Sequence, residues 1–455
     1  MTLSHRWGAT KFIKLTTDNL HSFKLGIPLK HLPKTFQDAV AVAKWFGVRY
    51  LWIDSLCIIQ DSIADWSVEA GLMSEVYQYA FCNIAATGAL DSSEGLFFNR
   101  DFNLVQRSNL EIDLGTDPWR GSGKSRRMEI LNPDLWKESI QQAELNKRGW
   151  VVQERLLAKR VLHFGKMQLF WECREQRACE TYPNGLHYVI TTDVDFRSAM
   201  LASVTGPVKG LGKEGIWWSI VRIYSQGQLT RLLDKEMACS GLVKSLETTF
   251  KDSCIVGLWK KGMPFQLLWE SGYLSTRCPY YRAPSWSWLS VDGEIAAGPM
   301  EGDSTLISHA IVEDIVVTRA GQQNGDRIKS AYIKLKGYIK KAKLEMQLST
   351  GSLIIDDCHS QKQFISIDGR VSKWGSGSGN VCCLLIFSKF SLEKTSRRGL
   401  ILRQTSRPEH EREVYERVGT FLFEDSSKDR PTGLFSLEIR SIGQYGALKK
   451  SIVIV

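Results

Sequence analysis

Three features of the N-terminal part of this chain predict an α/β fold, a parallel sheet flanked by helices. Two short apolar runs, Met1–Ser4 and Tyr50–Asp54, end in polar residues; helical periodicity separates them; a third run, Phe81–Ala86, follows a second helical stretch. Strand, helix, strand, helix, strand in this order calls for parallel pairing with right-handed crossovers. Open sheets of this kind bind ligands in the crevice outside the carboxyl ends of their strands. Asp54 closes the run YLWID and therefore stands where such a fold places polar chemistry. The alternative is that Asp54 caps the turn by accepting backbone N–H groups.

Taken in order, Met1-Thr-Leu-Ser4 enters directly into what reads as the end of a strand, which a chain terminus would hold weakly. Its brevity suggests a chain that begins late within an element. Thr35 is an expected N-cap, with Asp38 three residues on, for a helix buried through Phe36, Ala39, Val40, Ala43 and Phe46 and closed by Gly47. Tyr50–Asp54 reads as a strand buried on both faces. Asp65 is the expected cap of the next helix, whose buried face runs through Leu72, Met73, Val76, Tyr77 and Ala80. Residues 87–146 lack periodicity and read as an insertion on the α/β core. A helix is expected over 146–160, with Trp150, Val151, Glu154 and Leu157 on one face, then two strands, Val161–Phe164 and Gln168–Cys173, joined at Gly165.

The first domain is thus expected over 1–203. VTGPVKGLGKEG (204–215) reads as a linker. It contains a G-x-G-x-x-G match, Gly210 to Gly215, with no convincing strand before it, so a flexible connection is favoured over a dinucleotide loop. A mixed helical and β region is expected over 216–300, including a strand that carries Trp286 and Trp288 on one face. A β-rich region of unknown role fills 301–455.

Composition places the whole chain among globular proteins: 43% hydrophobic, 24% charged and 12 prolines in 455 residues. A net charge of +10 permits an anionic partner, but no long basic block appears, which argues against nucleic acid. The ten cysteines form no C-x-x-C pair, and Cys173, Cys179, His163 and His187 fit no metal spacing. No metal is expected. No run is long and apolar enough to span a membrane. The expectation is a reduced, soluble, cytoplasmic protein.

LSHRWG (3–8), FQDAVAVAKWFGVRYLWIDSLCIIQD (36–61), DWSVEAGLMSEVYQYAFCNIAATGA (65–89) and NKRGWVVQERLLAKRVLHFG (146–165) resemble the HET domain, the fungal heterokaryon-incompatibility module. YRAPSWSWLSVDG (281–293) and the Trp218–Asp234 block resemble the region that follows it in many HET proteins. The resemblance implies a fungal protein of non-self recognition and regulated cell death. HET domains have been likened to Toll/interleukin-receptor (TIR) domains, some of which cleave NAD, and this implies a TIR-like, flavodoxin-like sheet. TIR-type enzymes carry a catalytic glutamate on a helix with a Trp-x-x-x-Glu pattern, which places that role on Glu154, four residues after Trp150.

Breaking the nicotinamide–ribose bond builds positive charge on the ribose, and a carboxylate beside the sugar stabilises it. Glu154 would supply that carboxylate. Ser4, His5 and Trp7 would line the nucleotide pocket, with Asp54, Ser55 and Trp150 near them; NAD would be the substrate and no cofactor is required. Each residue also has a structural reading. Glu154 sits among Lys147, Arg148, Arg155 and Arg160 and could be ion-paired; His5 could be satisfied by backbone; Trp7 and Trp150 could be core; Gln60 and Gln153 could bond backbone groups. A second reading is a non-enzymatic module that signals through self-association or through other incompatibility or NLR-type proteins, with Cys57-Ile58-Ile59 as an exposed contact. A third is an anionic-partner binder, marked by strong salt dependence.

Overall fold

The computed structural model describes residues 1–113, 125–191, 212–298, 306–321, 327–347, 350–354, 362–368, 378–390, 394–405, 413–426 and 448–455. Two compact units result, one built from 1–208 with 227–229 and 237–242, the other from the rest. Most of the proposed linker, 204–211, lies outside the described residues; Gly212 precedes a helix at Lys213–Ser225.

In the first unit, β1 (Thr2–Ser4) runs to α1 (Leu20–Leu25), α2 (Lys34–Trp45), β2 (Trp52–Ile53), α3 (Asp54–Cys57), α4 (Ile63–Tyr79) and β3 (Asn83–Ala85). A hairpin follows, β4 (Asn109–Asp113) with β5 (Ser125–Glu129), then α5 (Gly149–Leu157), β6 (Arg160–Phe164), β7 (Leu169–Cys173) and β8 (Arg177–Cys179). The sheet order is β2-β1-β3-β6-β7-β8. The first four strands are parallel and the last two antiparallel. The sheet is therefore mixed, because the turn at Gly165 is too short for a crossover and folds β7 back on β6.

Far from being weakly held, β1 is paired on both sides, Thr2 to Trp52 and Asn83, and its three residues are buried. The strand expected at Tyr50–Asp54 is two residues long and forms the sheet edge, so it is not buried on both faces: Tyr50 is exposed and Trp52 half-buried. Its aromatic character serves a neighbour instead, Trp52 meeting Tyr77 of α4 edge-on at 5.7 Å.

Alternation gives the two sheet faces different chemistry. Leu3, Ile53 and Ile84 point to one face and pack with Phe36, Ala39, Val42 and Ala43 of α2. Thr2, Ser4 and Asn83, also buried, take the opposite side, where Asn83 accepts from Thr2 and Ser4 bonds Glu154 of α5. Polar residues thus fill a position where apolar packing is the norm.

Caps depart from expectation. Pro33 precedes α2, while Thr35 accepts the Gly95 N–H and Asp38 the Leu96 N–H, so the first turn of this helix clamps a loop. Ser62 caps α4 by accepting the Asp65 N–H at 3.2 Å, and Asp65 accepts from Ile59 N–H. Gly47 closes α2 with φ 68°, as its position after Phe46 requires.

In the second unit, helices Lys213–Ser225 and Val243–Phe250, the latter the end of a longer helix, precede short strands and a large sheet. Strand Ile328–Gln347 pairs with both Leu448–Ile454 and Ser378–Phe390, and through Lys394–Gln404 and Val414–Ser426 the sheet closes on itself. The expected Trp286/Trp288 strand is instead a turn: Ser287 accepts the Leu289 N–H and starts a 3₁₀ turn at Trp288–Ser290, with both indoles buried. Arg417, fully buried, bonds Asp368 at 3.0 Å and lies 3.5 Å over the Trp269 ring.

The Asp38 clamp yields a direct expectation. Asp38→Ala leaves the Leu96 N–H without its acceptor and lowers unfolding stability by roughly 1–3 kcal/mol in chemical denaturation.

Candidate functional site

Two polar groups meet at the carboxyl ends of the parallel strands. The first is centred on Glu154, carried by the inward face of α5 and only 3% exposed. Its Oε2 accepts from the Ser4 hydroxyl, at the end of β1, and from the Tyr77 hydroxyl of α4 at 2.9 Å. Both donors address Oε2, and Oε1 takes neither. Behind them, Thr2 donates to Asn83 Oδ1 at 2.9 Å and Asn83 Nδ2 donates to Ser4 Oγ at 3.0 Å. These four residues and Glu154 form one directed relay that ends on the carboxyl.

The second group gathers around Asp54, the first residue of α3. Its Oδ1 accepts the Ser55 N–H at 2.7 Å, and its Oδ2 accepts the Trp7 indole N–H at 3.0 Å. Turn capping and side-chain binding are therefore both present in one residue. His5, buried between Phe12 and Phe36, brings Nδ1 to 3.7 Å from Asp54 Oδ1, beyond hydrogen-bond reach. Neither ring nitrogen of His5 has a hydrogen-bond partner, nor does the buried Ser55 hydroxyl. The backbone satisfaction expected for His5 is thus absent from its side chain, and the orphaned atoms mark a polar niche with unmet bonding capacity.

Arg148 lies between the two groups. Its guanidinium donates to the His5 carbonyl, and its charge acts on both His5 and Glu154. Burial pushes the Glu154 carboxyl above its ordinary value, against the pull of Arg148 and the two hydroxyls. Burial likewise holds His5 down at about 4, opposed by Asp54 and helped by Arg148, so at neutral pH the imidazole is uncharged. Tyr77 is pushed well up, again by burial first.

Of the residues singled out from sequence, Ser4 and Glu154 meet directly, and His5, Trp7, Asp54 and Ser55 cluster beside them. Trp150 joins neither group; it is half-buried and packs edge-on to Trp66 at 6.4 Å. The ion pairing considered for Glu154 is also absent in its direct form: Arg155 binds Glu172, with two bonds of 2.7 and 3.0 Å. Gln60 and Gln153 do bond backbone, at Asp54, Ile58 and Gly241. The exposed patch expected at Cys57-Ile58-Ile59 fails at Ile58, which is buried.

Tyr77 and Asn83 were not anticipated at the site, whereas Arg148 is one of the basic residues expected around Glu154 and acts on it by charge. Tyr77 was legible only as one residue of an apolar helix face. Asn83 did leave a signal, an amide inside the apolar run FCNIAA, where an unpaired polar side chain would be costly. Among the described residues no group of three or more His, Cys, Asp or Glu side chains could hold a metal ion.

Residues 1–154 match the family model described as heterokaryon incompatibility protein (HET), so this part of the chain is a HET domain. The match contains every residue of the two polar groups. No curated protein and no solved structure matches the chain.

The two shifted groups predict opposite pH effects on stability. Glu154 has a raised folded value, so its contribution is present below the ordinary Glu value of 4.5 and is lost as pH rises through the raised value. Glu154→Gln should therefore match wild type in acid and melt higher than it near neutrality. His5 contributes above 6.5 and loses that contribution as pH falls towards 4. His5→Phe should flatten the fall in melting temperature across that window.

Proposed function

Taking a HET domain over residues 1–154 as the premise, we propose that this protein acts in fungal non-self recognition and regulated cell death by cleaving the nicotinamide–ribose bond of NAD. The observation that carries the reading is the Glu154 carboxyl, buried against the end of the central strand and held by hydroxyls instead of a salt bridge. Strand order β2-β1-β3 puts β1 at the point where the chain reverses its direction of crossover, the place where open α/β sheets receive ligands. The TIR-like likeness of the domain supports the same choice.

The chemistry follows from charge. Nicotinamide in NAD is a cationic ring, and it leaves as a neutral molecule by keeping the electron pair of the glycosidic bond. Positive charge then builds on ribose C1′, water adds there, and the water gives up a proton. Asp54 attracts the cationic ring towards Trp7, whose indole face already holds a cation, Lys14 at 4.3 Å, that the nicotinamide ring would displace. Neutral His5 adds no opposing charge. Glu154 rests with its neutral form favoured by burial; an arriving cation lowers its pKa and returns the carboxylate that stabilises the developing charge.

The closed state of the network favours a second reading. Ser4, His5 and Glu154 are all nearly inaccessible, as in a domain that signals by contacts with further copies or with other incompatibility or NLR-type proteins and performs no chemistry. Under the first reading the site opens on assembly.

Nicotinamide release from NAD separates them. At high protein concentration the wild type should release nicotinamide, and Glu154→Gln should be slower by about 100-fold or more. Equal release from both would remove Glu154 from the chemistry. Absence of release from a folded, assembled protein would leave the signalling module.

A further inference from the structure

The opposite end of the same sheet carries a surface that the HET-domain chemistry does not use. Four aromatic side chains stand out from the amino ends of the parallel strands and the helix ends beside them: Trp45 81% exposed, Tyr50 78%, Tyr79 70% and Phe81 49%. They come from two separate stretches, 45–50 from the end of α2 towards β2 and 79–81 from the end of α4 towards β3, so the fold assembles the patch and no single amphipathic element does. Contact links them. Trp45 meets Phe46 at 4.8 Å and Phe46 meets Phe81 at 6.0 Å, while the backbone of Tyr50 receives the Met1 amino group at 2.7 Å beside the start of β1.

Basic side chains are interleaved with the rings. Arg160 lies 5.8 Å from the Phe81 ring and also donates to the Phe81 carbonyl; Lys159 lies 5.7 Å from Tyr79; Arg49 lies 5.8 Å from Tyr50. Lys44 adjoins Trp45. The stretches 44–50, 78–82 and 159–160 hold these four basic residues and no acidic one. Exposed aromatics of this size have a cost in water, and cations with no local acidic partner call for an anionic counterpart.

We propose that this end of the HET domain docks on an anionic lipid surface. Tryptophan and tyrosine favour the headgroup level, where one part of the ring is apolar and the other wet, and lysine and arginine stems lie along apolar surface while their charges reach phosphates. The arrangement of cations over rings decides against single-stranded nucleic acid. Bases need a run of free aromatic faces to stack on, and here Phe81, Tyr79 and Tyr50 each already carry a cation, which leaves Trp45 alone of the four. At a headgroup layer the same pairing is favourable, since ring and cation enter together. No helix among the described residues is long and apolar enough to cross a membrane, so the contact is peripheral. Docking by this end leaves the carboxyl ends of the strands, with Ser4, Asp54 and Glu154, facing away from the lipid.

Flotation of the full chain with vesicles tests the assignment independently of any NAD chemistry. The protein should float with phosphatidylcholine vesicles that contain phosphatidylserine and stay behind with phosphatidylcholine alone, and rising salt should release it. Lys159→Gln and Arg49→Gln should each weaken partition about fivefold, and Trp45→Ser should weaken it further with the far-ultraviolet circular dichroism unchanged. These are exposed positions, so folding is preserved and the comparison is clean. Failure of the folded wild type to float with anionic vesicles overturns the proposal. So does flotation that the three substitutions leave unaltered, or capture of a single-stranded oligonucleotide by this face in preference to vesicles.

Discussion

A carboxyl group buried between a strand end and two helices governs the first unit. Glu154 cannot be placed beneath α4 and α5 without donors, because an unbonded carboxyl in a dry interior is strongly disfavoured. Ser4 and Tyr77 meet that demand, and Asn83 and Thr2 meet the demands that Ser4 in turn creates. One face of β1 and β3 is polar as a result. The opposite face, through Leu3, Ile53 and Ile84 against α2, carries the apolar packing that holds the sheet together. A partly satisfied polar layer of this kind is a poor way to stabilise a core and a good way to hold reactive groups in fixed positions.

The second unit shows what a structural buried charge looks like in the same chain. Arg417 and Asp368 are both fully buried, bonded at 3.0 Å, and the guanidinium is stacked on Trp269. Opposite charges are matched there, with Arg277 adding a second contact to Asp368 at 3.4 Å. The ring of strands closed by Ile328–Gln347 provides the rigid frame for that pair. Glu154 differs in kind: its bonds are to hydroxyls, the cation whose charge acts on it, Arg148, bonds a backbone carbonyl instead, and burial raises its pKa.

Much of the first unit was legible because period and polarity changed together along the chain. Helices α2 and α5 and strands β1, β3 and β6 follow the apolar spacing, whereas the face expected for α4 is met at Met73 and Tyr77 but fails at Leu72, which is exposed while Ala70 and Ser74 are buried. The edge position of β2 was not legible, because Trp52 and Ile53 look the same in sequence whether a second strand lies beyond them or not. Nor was the antiparallel return of β7, although the single turn at Gly165 foreshadowed it. Trp286 and Trp288 misled for a plain reason: alternation at two residues also arises in a capped 3₁₀ turn, and Ser287 supplies the cap. At the site, Asp54 and Ser4 were found as polar residues at strand ends, and Glu154 through the resemblance to TIR-type enzymes and their Trp-x-x-x-Glu pattern. Tyr77 was hidden, since a tyrosine on an apolar face has no distinguishing pattern, and Arg148 was legible only as one of four basic residues near Glu154. Trp150 was placed by analogy alone, and its packing on Trp66 takes it out of both polar groups.

The central claim is that the polar groups at the strand ends form a ligand site and are more than a buried network. Amide hydrogen exchange of Glu154→Gln with and without NAD addresses it most directly, because binding can then be seen without turnover. The account predicts NAD-dependent protection concentrated at residues 3–8, 54–60 and 148–154. Exchange that NAD leaves unchanged across these three segments, in a folded protein at saturating nucleotide, would contradict it.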